Sequence, residues 1–518
     1  MTSIDSVICQ DFVGTTGAIN MLEPTVHELE LSKSLENTVK DMNVFMSATE
    51  LTHRHEALIQ LQDHCNQWIY EKSLEYMYPK IVARSIKGKL FPFGSYRLSV
   101  DLVGADIDTL FVCPNFISRE EFFEEFHQYL STHPEAKCVQ AITEAFVPLI
   151  TMTFCNVEMD LLFANIDEVT VSKDLNLNEN TEQLMRIMNE KDVRSINGVR
   201  VSEDILNLIY NKKVFQSALK IIKLWAKRRG IYSNAMGFLG GVSWAILVAR
   251  ICQLWPTSST FTIILNFFNF YGNKWKWPSP VIIKEIQEVT SLTFPQWNSI
   301  TNPADANHEM PIITPSYPCQ NSAYNVTNSH KKIIVNHMKS AHDLCQQISS
   351  ENSSFSMLFQ PHFFFSYRHY LMITYKSKIE TEFKENINLI EARLRILAQH
   401  LERKPSISLV HLYVKNVQTQ EIDISDNVNE YICRWFIGFE IDKSKENLVL
   451  INEIEKLKNI VKIPIHVSYV KISEISPFLS EEERKTLNLH YSQKSRKRQI
   501  TKTEDNISET EEKKRRIE

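Results

Sequence analysis

Apolar residues recur at helical spacing through Leu51–Ser85, where Leu58, Leu61, Cys65, Trp68 and Ile69 form one stripe and predict a helix leading into a first strand. From 90 to 165 the period shortens. Short β-rich runs such as Thr109-Leu-Phe-Val112 alternate with a helix-like Arg119–His127, for which Ser118 is the expected N-cap. A mixed α/β domain is expected there. From Val214 the pattern is helical again, with Val214, Ala218, Ile221, Ile222 and Trp225 on one stripe and Lys220, Lys223 and Lys227 on another face. Gly240 and Gly241 stand inside a further apolar helical pattern. Closely spaced Pro303, Pro311, Pro315 and Pro318 predict a less regular connection before a helix-like 331–348.

Near residue 355 the period changes once more. Stretches 362–374, 406–414, 431–441 and 463–470 read as strands, and 387–401 and 448–457 as helices. The resulting β-α-β-β-α-β order predicts a ferredoxin-like sandwich of the RNA-recognition-motif type. The usual aromatic RNP1 string is not present, so its Phe and Trp residues are expected in the core. After about 490 periodicity is lost, and two basic blocks flank a polar, partly acidic spacer: Lys494, Arg496, Lys497 and Arg498, then Lys513, Lys514, Arg515 and Arg516. Such a pair resembles a bipartite nuclear-localisation signal in a disordered tail. The changes of period divide the chain into 1–213, 214–355, 356–490 and a tail, 491–518, which is an α+β multidomain organisation.

A length of 518 residues with 43% hydrophobic content supports several cores. The formal charge of −5 excludes a uniformly basic coat, so contact with nucleic acid must be local. Nine cysteines with no Cys-x-x-Cys pair favour reduced thiols over a disulfide framework or a zinc module. The start of the chain lacks the pattern of a secretory signal, and the apolar stretch 236–249 is too short to span a bilayer. A soluble intracellular protein with no membrane association is the expectation, and Asn325-Val-Thr327 is then a chance match to a glycosylation acceptor.

The chemistry is concentrated in Phe93-Gly-Ser-Tyr-Arg, in Asp106-Ile-Asp108 and in Asp160. Gly94 lets backbone approach a phosphate, and Ser95 offers a hydroxyl beside N–H groups at a helix start. Asp106 and Asp108, two apart at the head of a strand, point to one side. Asp160 lies among apolar neighbours, where a bare carboxylate needs a cation or partner. Three oxygen ligands suit Mg²⁺ or Mn²⁺, and two such ions activate an attacking hydroxyl and stabilise a leaving pyrophosphate.

The order Gly-Ser, Asp-x-Asp, Asp is similar to the nucleotidyltransferase superfamily that includes DNA polymerase beta. Longer strings, among them Gly104-Ala-Asp-Ile-Asp-Thr-Leu, Ala145-Phe-Val-Pro, Leu219-Lys-Ile-Ile-Lys-Leu-Trp-Ala and Met310-Pro-Ile-Ile-Thr-Pro-Ser-Tyr-Pro, resemble the eukaryotic nuclear poly(A) polymerases over roughly residues 12–475. The resemblance implies a palm-like catalytic α/β domain, a helical middle domain and an RNA-binding-like third domain, with template-independent addition of AMP from ATP to an RNA 3′ end. It implies that Asp106 and Asp108 hold two ions, Mg²⁺ or Mn²⁺, and that Asp160 joins the one serving the 3′-hydroxyl. It further implies that Gly94 and Ser95 meet the outer phosphates, Phe146 and Val147 the adenine, and Lys223 and Tyr232 the triphosphate, with Phe93 also among the ATP-binding residues. Asn197 and Asn234 would meet sugar or base, with Gly241 and Val242 flanking the nucleotide. Cleavage-and-polyadenylation subunits, a monomeric state and a nuclear location follow from the same resemblance. One departure stands out: Thr151 occupies a position where the family commonly has lysine. A nucleotidyltransferase of other NTP specificity, and a non-catalytic RNA-binding subunit, are the alternative readings.

Overall fold

The structure, a computed structural model, describes residues 15–351, 353–361, 367–423, 428–442, 449–479, 481 and 484–485. Its contacts divide into two compact units. One takes in residues to Leu224, Leu239–Val326 and Val335–Leu358; the other takes in Trp225–Phe238, Thr327–Ile334 and residues from Phe359.

The first unit is built on a five-stranded sheet, β1 (Lys89–Pro92), β2 (Ile107–Cys113), β3 (Ala136–Ile142), β4 (Leu149–Phe154) and β5 (Val157–Asn165), in the order β1-β2-β5-β4-β3. β2 and β5 are parallel and the other pairings antiparallel. The two central strands are covered on both faces and therefore read as apolar runs. On one face Ile107, Phe111, Met159, Leu161 and Phe163, with Ile150, Met152 and Phe154 of β4, share a core with Leu58, Leu61, Cys65, Trp68 and Ile69 of the helix Ala48–Glu75. On the other face Leu110, Val112, Leu162 and Ala164 meet Val193, Ile196 and Val199 of the helix Glu190–Asn207. Asp108 and Asp160 follow the parity of this second set.

The helix expected over Leu51–Ser85 is divided. Ala48–Glu75 starts at a Ser47 capping box, and a separate turn, Lys80–Ser85, begins after Pro79. Proline lacks the N–H to continue the first helix and biases the residue before it away from helical geometry. Ser118 caps the next helix as expected, its hydroxyl accepting from the Glu121 N–H. That helix, Arg119–Glu121, passes through a π turn, Phe122–Phe126, into His127–Thr132. The helix Lys212–Arg228 follows, and then Gly241–Leu254, buried from Ser243 to Leu254 and so mostly apolar on every face.

The second unit holds β6 (His369–Ser377), a helix Glu380–Glu402, β7 (Ile407–Leu412), β8 (Val417–Asp423), β9 (Val428–Ile441), a helix Ile451–Val461 and β10 (Ile465–Val470). The order β10-β6-β9-β7 is that of a ferredoxin-like sheet, and β8 pairs with β9 as an additional strand. The strand expected from His362 begins at His369, and 362–366 lie outside the described residues. Trp435, Phe436 and Phe439 are buried, as expected of core aromatics. The eight described cysteines are free, and among the described residues no helix is long and apolar enough to cross a membrane.

Candidate active site

The parallel pairing of β2 and β5 sets Asp108 directly opposite Asp160. Asp106, two residues earlier, approaches from the same side, so that one oxygen from each of the three carboxylates lies within 4.8 Å of the others. Asp106 is exposed, whereas Asp108 and Asp160 are half-buried. Burial first, and then the charges of Asp106 and Asp160, push Asp108 up to about 7, against an opposing pull from Lys223. Asp160 is raised too, chiefly by burial, and is held back by a hydrogen bond from Thr151. Thr151 is its cross-strand partner on β4. Three carboxylates set this close, with oxygen as their only donor, fit hard divalent cations.

The approach to these carboxylates is fixed by backbone. Phe93 donates its N–H to the Asp108 carbonyl at 2.9 Å, and Gly94 turns with φ +61° into the short helix Gly94–Leu98. A Cβ at Gly94 would stand 2.5 Å from Asp108 Oδ2, so only glycine fits at this turn. The Phe93 ring lies against Gly198, where a Cβ would meet it at 2.6 Å. The expected phosphate donors are otherwise engaged in this structure. The Gly94 N–H donates to Ser202 Oγ at 3.0 Å, and the Ser95 hydroxyl donates to Asp101.

Lys223 is not on a solvated face. It is 5% exposed, its ammonium donates to the Val100 carbonyl at 3.2 Å, and its charge reaches Asp108. Lys220 is half-buried, with its ammonium 5.5 Å over the Phe45 ring, while Lys227 is exposed. Phe146 stands 69% exposed in the turn before β4, with the Arg194 guanidinium 3.9 Å over its ring. Val147 packs into the core beneath that turn. Asn197 Oδ1 accepts from Arg200 at 3.0 Å. Gly241 and Val242 open the Gly241–Leu254 helix, which packs against Gly94–Leu98 and Glu190–Asn207. Gly240 and Gly241 therefore mark a helix start and do not stand inside a helix.

Tyr232 and Asn234 belong to the other unit. There Lys227 lies 5.4 Å over the Tyr232 ring, and the Asn234 carbonyl accepts from Gly237 at 3.1 Å. The basic residues at 494–498 and 513–516 lie outside the described residues.

Sequence reasoning passed over Arg54. Its guanidinium donates to the carbonyls of Ala105 at 2.6 Å and Asp106 at 3.0 Å and lies 3.9 Å from Asp101, fixing the loop that delivers Asp106. A signal was available: Arg54 falls one turn before Leu58 on the apolar stripe, and a buried charge at such a position needs partners. Ser202 and Arg194 carried no comparable signal.

Three family models match the chain in order: the poly(A) polymerase nucleotidyltransferase domain over 14–209, the poly(A) polymerase central domain over 214–361, and the poly(A) polymerase predicted RNA binding domain over 362–430. Poly(A) polymerase PAPa of Candida albicans is 36% identical over 482 residues, covering 92% of this chain and 86% of that protein. Poly(A) polymerase pla1 of Schizosaccharomyces pombe is 38% identical over 403 residues, 78% of this chain and 70% of that one. A crystal structure of the Cid1 poly(U) polymerase is similar at 15% identity and a TM-score of 0.45, covering 64% of this chain and 99% of its own. With the carboxylate cluster on the matching nucleotidyltransferase segment and two relatives aligned over most of both lengths, the chain belongs to the poly(A) polymerase family.

Proposed function

We propose that this protein adds AMP from ATP to the 3′ end of RNA without a template and releases pyrophosphate. The observation that carries the reading is the in-register Asp108–Asp160 pair with Asp106 beside it, in a chain of this family. In the reaction a bond forms from the RNA 3′ oxygen to the α phosphorus as the bond from that phosphorus to the pyrophosphate oxygen breaks. Two divalent ions, Mg²⁺ or Mn²⁺, held by Asp106 and Asp108 with Asp160 sharing one, would lower the pKa of the 3′-hydroxyl and stabilise the departing pyrophosphate. The lack of a side chain at Gly94 keeps bulk away from Asp108, and Lys223 places positive charge beside the carboxylates where an anionic phosphate chain would lie. Phe93, Ser95, Phe146, Val147, Asn197, Tyr232, Asn234, Gly241 and Val242 are the further nucleotide contacts that the family resemblance implies. Residues 1–213 act as the catalytic domain, 214–355 as the middle domain and 356–490 as the RNA-binding domain of a monomer. It serves mRNA polyadenylation in the nucleus with cleavage-and-polyadenylation subunits, and the two basic blocks of its tail direct import.

Extension of a labelled RNA primer with each NTP offered separately tests this directly. Elongation with ATP, and far less with the others, is expected. Preferential use of UTP or CTP would reassign the specificity, and no elongation with any NTP would make the chain a non-catalytic RNA-binding subunit. Retention of a fluorescent fusion in the nucleus after both basic blocks are changed to alanine would overturn the import role.

A further inference from the structure

The face of the catalytic sheet opposite the three aspartates carries a second convergence of ligand-type side chains. His64 projects from the helix Ala48–Glu75, and His133 and Glu135 come from the turn between the helix His127–Thr132 and β3. One ligand atom from each of the three lies within 4.8 Å of the others. The imidazole rings of His64 and His133 are 4.5 Å apart between centroids, and His64 meets Phe154 edge-on at 5.7 Å. Phe154 belongs to the core on the helix Ala48–Glu75 side, which sets this cluster across the sheet from Asp108 and Asp160.

Two features separate the cluster from a chance meeting of polar side chains. Glu135 Oε2 is buried and has no hydrogen-bond partner among the described residues, which is costly for a carboxylate oxygen unless a cation faces it. The segment that carries two of the groups is also held in place. His133 and Glu135 belong to one turn, closed by the Ala136 N–H donating to the His133 carbonyl at 3.2 Å. The His133 N–H donates to the Leu130 carbonyl at 3.0 Å, and the Glu135 carbonyl accepts from Cys155 at 2.9 Å. His64 Nδ1 stands 3.5 Å from the Tyr129 hydroxyl, an outer partner that would orient the ring and leave Nε2 toward the cluster.

We propose that His64, His133 and Glu135 form a binding site for a zinc-class divalent ion, separate from the catalytic carboxylates, that ties the helix Ala48–Glu75 to the start of β3. Two imidazole nitrogens and one carboxylate oxygen make a borderline donor set that suits Zn²⁺ better than Mg²⁺, and three protein ligands leave a fourth position for water. Zinc bonds of about 2.0–2.2 Å place ligand atoms inside the 4.8 Å that bounds these three, so one ion can join the helix to the turn before β3. Occupancy should therefore raise the melting temperature as well as register as bound metal.

The test uses the full-length, tag-free chain after chelator treatment, in an Asp106→Asn/Asp108→Asn background that weakens the catalytic site. Titration with ZnCl₂ is followed by calorimetry and by melting curves. One zinc per chain and a higher melting temperature are expected. In the same background His133→Ala should cost at least about tenfold in zinc affinity and abolish the melting shift, and Glu135→Gln, which keeps the side-chain shape, should weaken both. Co²⁺ in place of zinc should give the visible absorption of a four-coordinate nitrogen and oxygen site, lost in His133→Ala. Absence of zinc binding in the parent background, or zinc binding unchanged by both His133→Ala and Glu135→Gln, overturns the proposal.

Discussion

Replacing Asp108 by asparagine should make the metal-free protein more stable while abolishing nucleotide addition. Asp108 is half-buried beside two other carboxylates and is pushed from the ordinary 3.8 up to about 7. The folded state therefore holds a proton that the unfolded chain releases near pH 4. Stability tied to this group is complete below pH 4 and is lost as pH rises through 7. At about 1.36 kcal/mol per pH unit, the gap makes ionised Asp108 cost the metal-free fold about 4 kcal/mol. Water reaching a half-buried carboxylate screens part of this, so a gain of about 2–4 kcal/mol is expected for Asp108→Asn at pH 8. The gain should shrink toward zero at pH 4. Melting curves of wild type and variant in chelator at pH 5 and pH 8, then with Mn²⁺ or Mg²⁺, give the comparison, and wild type should gain more from metal than the variant does. Primer extension by the variant should fall by several orders of magnitude, because a neutral amide is a poor ligand for hard cations. A variant that melts below wild type at pH 8 without metal, or a difference that does not change between the two pH values, would refute the electrostatic reasoning.

Gly94→Ala places a methyl group against Asp108 Oδ2 at a left-handed φ; about 1–2 kcal/mol of stability and about a hundredfold of primer-extension rate should be lost, and near-normal extension would remove the steric argument. Lys223→Ala should raise the KM for ATP by one to two orders of magnitude, since a charge-assisted contact contributes about 1.5–3 kcal/mol; unchanged steady-state kinetics would leave Lys223 a purely structural lysine. Arg54→Met frees the Ala105 and Asp106 carbonyls and should lower kcat more than it changes the KM for ATP, with about 1.5–3 kcal/mol lost in denaturant titration; a KM effect alone would place Arg54 in substrate binding. Thr151→Lys sets an ammonium opposite Asp160 and should lower the affinity for Mn²⁺; unchanged metal binding would show that the lysine points away from the carboxylate.

What could be read from the chain depended on how local the physics was. The Ser118 cap needed only a hydroxyl and an acidic residue three positions later, and the two largely apolar central strands needed only their composition. β8 escaped because Val417-Gln-Thr-Gln-Glu-Ile-Asp423 is nearly all polar. It is a strand because the fourteen-residue β9 extends past β7 and offers it a pairing edge, which no local pattern reveals. The stripe through Val214 to Trp225 was legible, but the burial of Lys223 was not. Helical spacing places a lysine on a face, and only the chain packed there, at Val100, decides whether that face is wet.

The same distinction divides the site. Asp106, Asp108 and Asp160 were legible from the Asp-x-Asp spacing and from a carboxylate set in an apolar run, and burial raises both half-buried members, Asp108 and Asp160. The groups that support the three come from distant segments: Lys223 acts on Asp108, Arg54 grips the backbone that carries Asp106, and Thr151 bonds Asp160. Each carboxylate thus has one supporting residue from a different element, and only one of the three supports is a neutral hydroxyl. A hydroxyl at 151 steadies Asp160 without cancelling its charge, whereas a lysine directed at it would neutralise the carboxylate as a cation does. The departure at 151 therefore bears on how strongly the third carboxylate competes for metal, and Asp160 is the group through which a change at this position would act.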